Sequence, residues 1–171
     1  MKKALFLLLM AVMTAGKLSA QDILGEWVTT FADAEQTVAF TLGFNKDKTS
    51  NIRVVIDATD PEIGSMTMRI ELSGTYAVDG DQLKLVSDAK KADVKLIGMK
   101  LKGEMGEAAK DPATEKMIRS MLEQQLGTQK VEMLAGVPIN TTLTIVSKTD
   151  DKLTLLENGT EEAMEFMKIN K

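Results

Sequence analysis

The strongest constraint on this chain is the period-two alternation of its apolar residues. Val38, Phe40, Leu42 and Phe44 fall on one parity. Ile52, Val54 and Ile56 repeat the pattern after the polar segment 45–51. Met66, Met68, Ile70, Leu72, Tyr76 and Val78 then keep one parity, with Thr67, Arg69, Glu71 and Ser73 between them. Successive side chains of a strand point to opposite faces, so this pattern buries one face and wets the other. The parity runs unbroken through Gly74, which predicts one long strand that bends there. Leu83 and Leu85 follow a tight turn at Asp79-Gly80.

The phase changes near residue 98. Val94 and Leu96 share one parity, and Ile97, Met99 and Leu101 share the other. A slip of one residue beside Gly98 reads as a β-bulge. Leu143 and Ile145, then Leu153 and Leu155, flank a turn at Thr149-Asp150-Asp151. Asn158-Gly159 is the strongest hairpin signal in the chain and leads into a last strand near 161–169.

One stretch has the other period. Asp111 is a candidate N-cap and Pro112 suits the first helical position. Met117, Ile118, Met121, Leu122 and Leu126 recur at helical spacing, and Gly127 is placed to end the helix. The prediction is an amphipathic helix over 112–126 whose Met-rich stripe packs on the domain. Closely spaced alternating strands, tight turns and one helix describe an antiparallel barrel or sandwich. A barrel is preferred, because long bent strands in meander order close on themselves and remove their edges. The expected fold is mainly β: an antiparallel barrel of about eight to ten strands with one inserted helix.

The N-terminus is read apart from this domain. Met1-Lys2-Lys3 is basic, Ala4 to Ala15 is almost wholly apolar, and Leu18-Ser19-Ala20 ends on a small residue. That is the three-part pattern of a cleavable signal peptide over 1–20, leaving a single domain over 21–171. The apolar run is about 12 residues, short of the roughly 20 that span a membrane. No Cys follows it, so a lipid-anchored thiol is excluded. The expected location is periplasmic or secreted, with no membrane span after signal removal. Residues 1–20 carry Lys2, Lys3 and Lys17 and no acid, so the remaining chain is more acidic than the −4 of the whole sequence. Such a charge disfavours nucleic acid as a partner.

The sequence has no His and no Cys. This excludes Ser-His-Asp and Cys-His nucleophile systems, an imidazole base, thiolate zinc sites and a disulfide framework. The loop 45–51 carries side-chain oxygens at alternate positions but lacks the glycine and distal acid of a calcium loop, so it reads as a polar hairpin loop. Asp57 and Asp60 precede Pro61 and read as turn caps rather than an acid–base pair. Lys90, Lys91, Lys95, Lys100 and Lys102 read as a solvated, edge-protecting face. The expectation is therefore no catalytic residue, no metal site and no cofactor.

Leu24-Gly25-Glu26-Trp27 opens the first strand, directly after the signal segment. This resembles the Gly-x-Trp signature of lipocalin and wider calycin barrels. Leu72 to Tyr76 with Asp79 to Leu85, and the ending from Asn158 to Lys168, are similar to segments of secreted bacterial lipocalin-like domains. The resemblance implies that Trp27 closes one end of the barrel beside Gly25. It also implies a cation from the last strand over that ring, here Lys168 where the family has Arg. A Lys cover is weaker and non-planar. The chain departs from the family in lacking its Thr-Asp-Tyr motif and in placing the helix among the strands.

Two functions follow from these readings. The first is an exported barrel that binds a small hydrophobic ligand in an apolar interior. The second is a filled barrel that serves as a cell-envelope protein-interaction module. A third, a carboxylate-dependent glycan hydrolase, is disfavoured by having only one Trp, one Tyr and five Phe to stack on sugars. An empty or filled interior separates the first two.

Overall fold

The computed structural model describes residues 19–20, 22–62, 64–134 and 137–169. The expectations placed on residues 1–18 and on Gln21 lie outside the described residues.

The alternating segments form antiparallel strands. They are β1 (Gly25–Ala32), β2 (Gln36–Phe44), β3 (Thr49–Asp60), β4 (Gly64–Asp79), β5 (Gln82–Ser87), β6 (Asp93–Leu101), β7 (Thr142–Lys148), β8 (Lys152–Glu157) and β9 (Ala163–Lys168). Two helices, α1 (Gly103–Ala108) and α2 (Pro112–Met133), separate β6 from β7. The order β1-β2-β3-β4-β5-β7-β8-β9 closes through β9 onto β1, giving an eight-strand antiparallel barrel with β6 as an extra strand. Among the described residues no helix is long and apolar enough to cross a membrane.

Register explains the alternation. Trp27, Leu42, Ile52 and Leu72 stand opposite one another across β1 to β4 and form one inward rung. Phe40, Val54 and Ile70 form the next. Each of these side chains is at most 5% exposed. Leu83, Leu85, Leu143, Ile145, Leu153, Leu155 and Phe166 supply the facing wall and are as well buried. A register slip of one residue would turn each rung outward, so the sequence specifies one pairing.

β4 has 16 residues and changes partner along its length. Residues 64–71 pair with β6, and residues 74–79 pair with β5. β5 and β6 thus lie end to end along one edge of β4, divided by a short turn at Ala89–Lys91. Gly74 stands at the changeover. A Cβ there would lie 2.0 Å from Ser87 Oγ and 2.4 Å from the Val86 carbonyl oxygen, so only glycine lets β5 approach. The phase slip beside Gly98 is a register shift opposite Thr67 and Met68, which leaves Ile97 as the extra residue.

Among the described residues β6 pairs with β4 alone, and its other edge meets α2. Arg119 Nη1 donates to the Leu96 carbonyl at 2.9 Å, and Lys130 Nζ donates to that of Ala92 at 3.2 Å. Arg119 thus satisfies a β6 backbone acceptor that a neighbouring strand would otherwise take, and Lys130 satisfies the one just before β6.

α2 starts as the sequence predicts. Asp111 accepts a 2.9 Å hydrogen bond from the Thr114 amide, and Pro112 follows it. The helix passes through Gly127 rather than ending there and reaches Met133. Good helix formers continue beyond Gly127, and Leu134 anchors the end in the core at 1% exposure. The expected packing of the whole Met-rich stripe needs correction. Ile118, Leu122 and Leu126 face the body and are half-buried, whereas Met117 and Met121 are 60% and 64% exposed. At about 100° per residue, Met121 lies about 100° and Met117 about 140° from the Leu122 direction. α1 was not foreseen, because Gly103 and Gly106 weaken its local helical signal.

Candidate functional site

The base of the barrel is built from the start of β1 and the end of β9. Trp27 pairs directly with Lys168, so both project to the inner side. Trp27 is fully buried, and its indole N–H donates to the Ile23 carbonyl at 2.7 Å. Lys168 Nζ sits 5.2 Å from the centre of the ring. Gly25 has φ +117, and a Cβ there would stand 3.2 Å from Lys168 Cε. Gly25, Trp27 and Lys168 therefore meet in one place, with the lysine stem crossing the space that glycine leaves. Burial of Trp27 contributes about 1.5–3 kcal/mol, as for a large apolar side chain, and the half-buried cation over its ring adds about 1 kcal/mol. The group is a structural plug.

Tyr76 extends the plug. Its ring packs edge-on against Phe44 with centroids 4.9 Å apart, and its hydroxyl donates to the Asn45 carbonyl at 2.9 Å. Burial, helped by the charge of Asp47, pushes the Tyr76 phenol above its ordinary value of 10.0.

Above the base the inward side chains of the described residues are almost wholly buried. Phe40 on β2 and Phe166 on β9, the two strands that flank β1, meet edge to face at 5.6 Å. The depressions bounded by described residues open at the surface. One, about 790 Å³, lies outside the base against Ser19, Ala20, Leu24, Lys46, Lys48 and Tyr76. A second, about 300 Å³, lies at the opposite mouth against Asp33, Glu35, Asp60 and Met66, among others. The inward rung at that mouth is looser: Phe31, Val38, Ile56 and Met68 stand opposite one another, with Phe31 50% exposed and the others half-buried.

Asp57 and Asp60 hold separate partners. Asp57 accepts from Thr67 Oγ1 across the β3–β4 ladder at 2.6 Å, rather than capping the turn. Asp60 accepts from the Glu62 amide at 2.8 Å and does cap it. Asp33 accepts from the amides of Glu35 and Gln36, which hold its carboxyl below the usual range. A general acid needs the opposite shift. In the 45–48 loop Asp47 accepts from the Thr49 amide and hydroxyl, as a hairpin turn requires. Lys90, Lys91, Lys95, Lys100 and Lys102 are all exposed, and Lys95 pairs with Asp93 at 2.6 Å.

No protein-family model and no curated protein matches the chain. The eight-strand closed antiparallel barrel is consistent with a calycin-like architecture. Sequence reasoning missed the edge-capping Arg119 and Lys130. Their only signal was a cation on the inward side of an amphipathic helix.

Proposed function

We propose that the chain is an exported, non-enzymatic, lipocalin-like barrel that works through its outer surface as a cell-envelope interaction module. The observation that carries this reading is the burial of the inward side chains: Trp27, Phe40, Leu42, Leu85, Leu155 and Phe166 are each at most 5% exposed. A carrier of the interior type needs a cavity of about 300–1,000 Å³ within the barrel, and the burial of these inward side chains supports a close-packed interior instead. Export follows from the pattern of residues 1–20, and the lack of His and Cys argues against catalysis. Exposed apolar side chains on the outside include Val86, Val146 and Met167. A photo-crosslinking residue at each of these positions, in the exported chain, is expected to give a discrete protein adduct. A uniform smear from all three would count against the module.

A second reading keeps the small hydrophobic ligand but moves it to the mouth. It is favoured by the half-open rung Phe31, Val38, Ile56 and Met68. Titration with a long-chain fatty acid separates the readings. Saturable shifts confined to those four residues support a mouth ligand, and no shift supports the module.

A further inference from the structure

Three methionines share one face of the β4–β6 ladder near the mouth. Met66 on β4 stands directly opposite Met99 on β6, and Met68 is the next residue on the same face of β4. Directly opposed Cβ atoms are about 4.5–5.5 Å apart, and same-face neighbours along a strand are about 6.6–6.8 Å apart. Each thioether hangs on a long unbranched chain with three rotatable bonds, so the three sulfurs can converge on one point. The side chains are half-buried, unlike the Leu, Ile and Phe residues that fill the core.

The surroundings favour a cation. Met66 lines the mouth depression together with Asp33, Glu35 and Asp60. Backbone amides keep Asp33 in its charged form. The basic residues nearest in register, Arg69, Lys95 and Lys100, lie on the other face of the β4–β6 ladder. Neutral thioethers are soft donors, and they select soft cations over the hard ions that carboxylates alone would take. The sequence holds no thiolate or imidazole to compete for such an ion.

We propose that Met66, Met68 and Met99 form a thioether site for a soft monovalent cation, Cu(I), at the open mouth of the barrel. Binding transfers no electron and releases no proton, because thioethers are neutral donors. The site is independent of whether the outer surface engages a protein.

Ag(I) is the probe, since it has the same charge and softness and does not change oxidation state. The full chain with labelled methionine methyl groups is titrated with silver nitrate and followed by NMR. The expected result is one Ag(I) per chain, with saturable shifts of the Met66, Met68 and Met99 methyls, while Met117 and Met121 stay still. Replacing all three by Leu conserves volume and is expected to abolish the complex in native mass spectrometry. Met117→Leu with Met121→Leu is expected to keep it. Equal shifts of every exposed methionine, or a complex that survives loss of all three thioethers, overturns the site. The methyl map of the unaltered chain decides the question even where the triple variant fails to fold.

Discussion

Lys168 Nζ lies 5.2 Å from the centre of the Trp27 ring, and its stem occupies the space where a Gly25 side chain would stand. The Gly25–Trp27 pair and Lys168, which lies 141 positions beyond Trp27, therefore share one small volume at the barrel base. Gly25→Ala meets two obstacles: backbone strain at φ +117 and a 3.2 Å approach to Lys168 Cε. The strain is of order 1–3 kcal/mol. The approach is to a flexible side chain and is relieved at small cost. Urea unfolding is expected to show that Gly25→Ala loses about 1–3 kcal/mol and that the loss persists in a Lys168→Ala background. A loss that vanishes in that background would place the constraint on the lysine stem instead.

Tyr76 is the only tyrosine, so its absorbance titration is read without overlap. The folded chain is expected to titrate above the ordinary 10.0. The sign follows directly. Below the unfolded pKa the phenol is protonated in both states, and its contribution to stability is fully present. As pH rises through 10 the unfolded chain loses the proton first, so that contribution falls away toward the folded pKa. Tyr76→Phe is expected to cost about 1 kcal/mol at neutral pH, by losing the hydrogen bond to Asn45. It should also flatten the alkaline fall of stability relative to the unaltered chain. Equal alkaline slopes in the two proteins would contradict the assignment.

Gly127 lies inside α2, and nothing stands within 4 Å of an added Cβ. Gly127→Ala is expected to stabilise the chain by about 0.5–1 kcal/mol through helix propensity alone. Thermal unfolding measures it. A fall in the midpoint would show that the backbone at Gly127 is not ordinary helix.

α2 contains no fully buried residue and is tied to β6 and to Ala92 before it largely by half-buried side chains and two side-chain-to-backbone bonds. Amide exchange is therefore expected to be faster over Pro112–Met133 than over β2, β3 and β4. Arg119→Ala with Lys130→Ala should speed exchange in α2 and along β6 and leave the β2–β3 ladder unchanged. Equal protection of α2 and the barrel core would contradict this.

Much of this arrangement was legible in the residues. Parity identified the inward faces of β2, β3 and β4, because each alternates apolar and polar residues over a long run. Gly74, the slip beside Gly98 and the Asp111 cap were readable because each rests on a local rule of backbone geometry. The end-to-end placement of β5 and β6 was not, since the turn at Ala89–Lys91 and the bulge at Ile97 hide that they share an edge of β4. The outward turn of Met117 and Met121 was hidden too, because methionine reads as apolar whichever way it faces. The state of the interior depends on how strands from both ends of the chain meet. Phe40 and Phe166 touch across 126 positions of sequence, and no local pattern reports that contact.

The central claim is that the barrel interior is full, and ligand titration by NMR of the whole chain tests it most directly. Palmitate, retinol and benzene are each added to the unaltered protein and to Phe166→Ala. The unaltered protein is expected to show no saturable shift at Phe40, Val54, Ile70 or Phe166. The variant, with a cavity opened beside Phe40, is expected to gain benzene binding, as apolar cavities of about 150 Å³ do. A one-to-one complex of the unaltered protein, with shifts at those core residues, would contradict a filled barrel and restore an interior carrier.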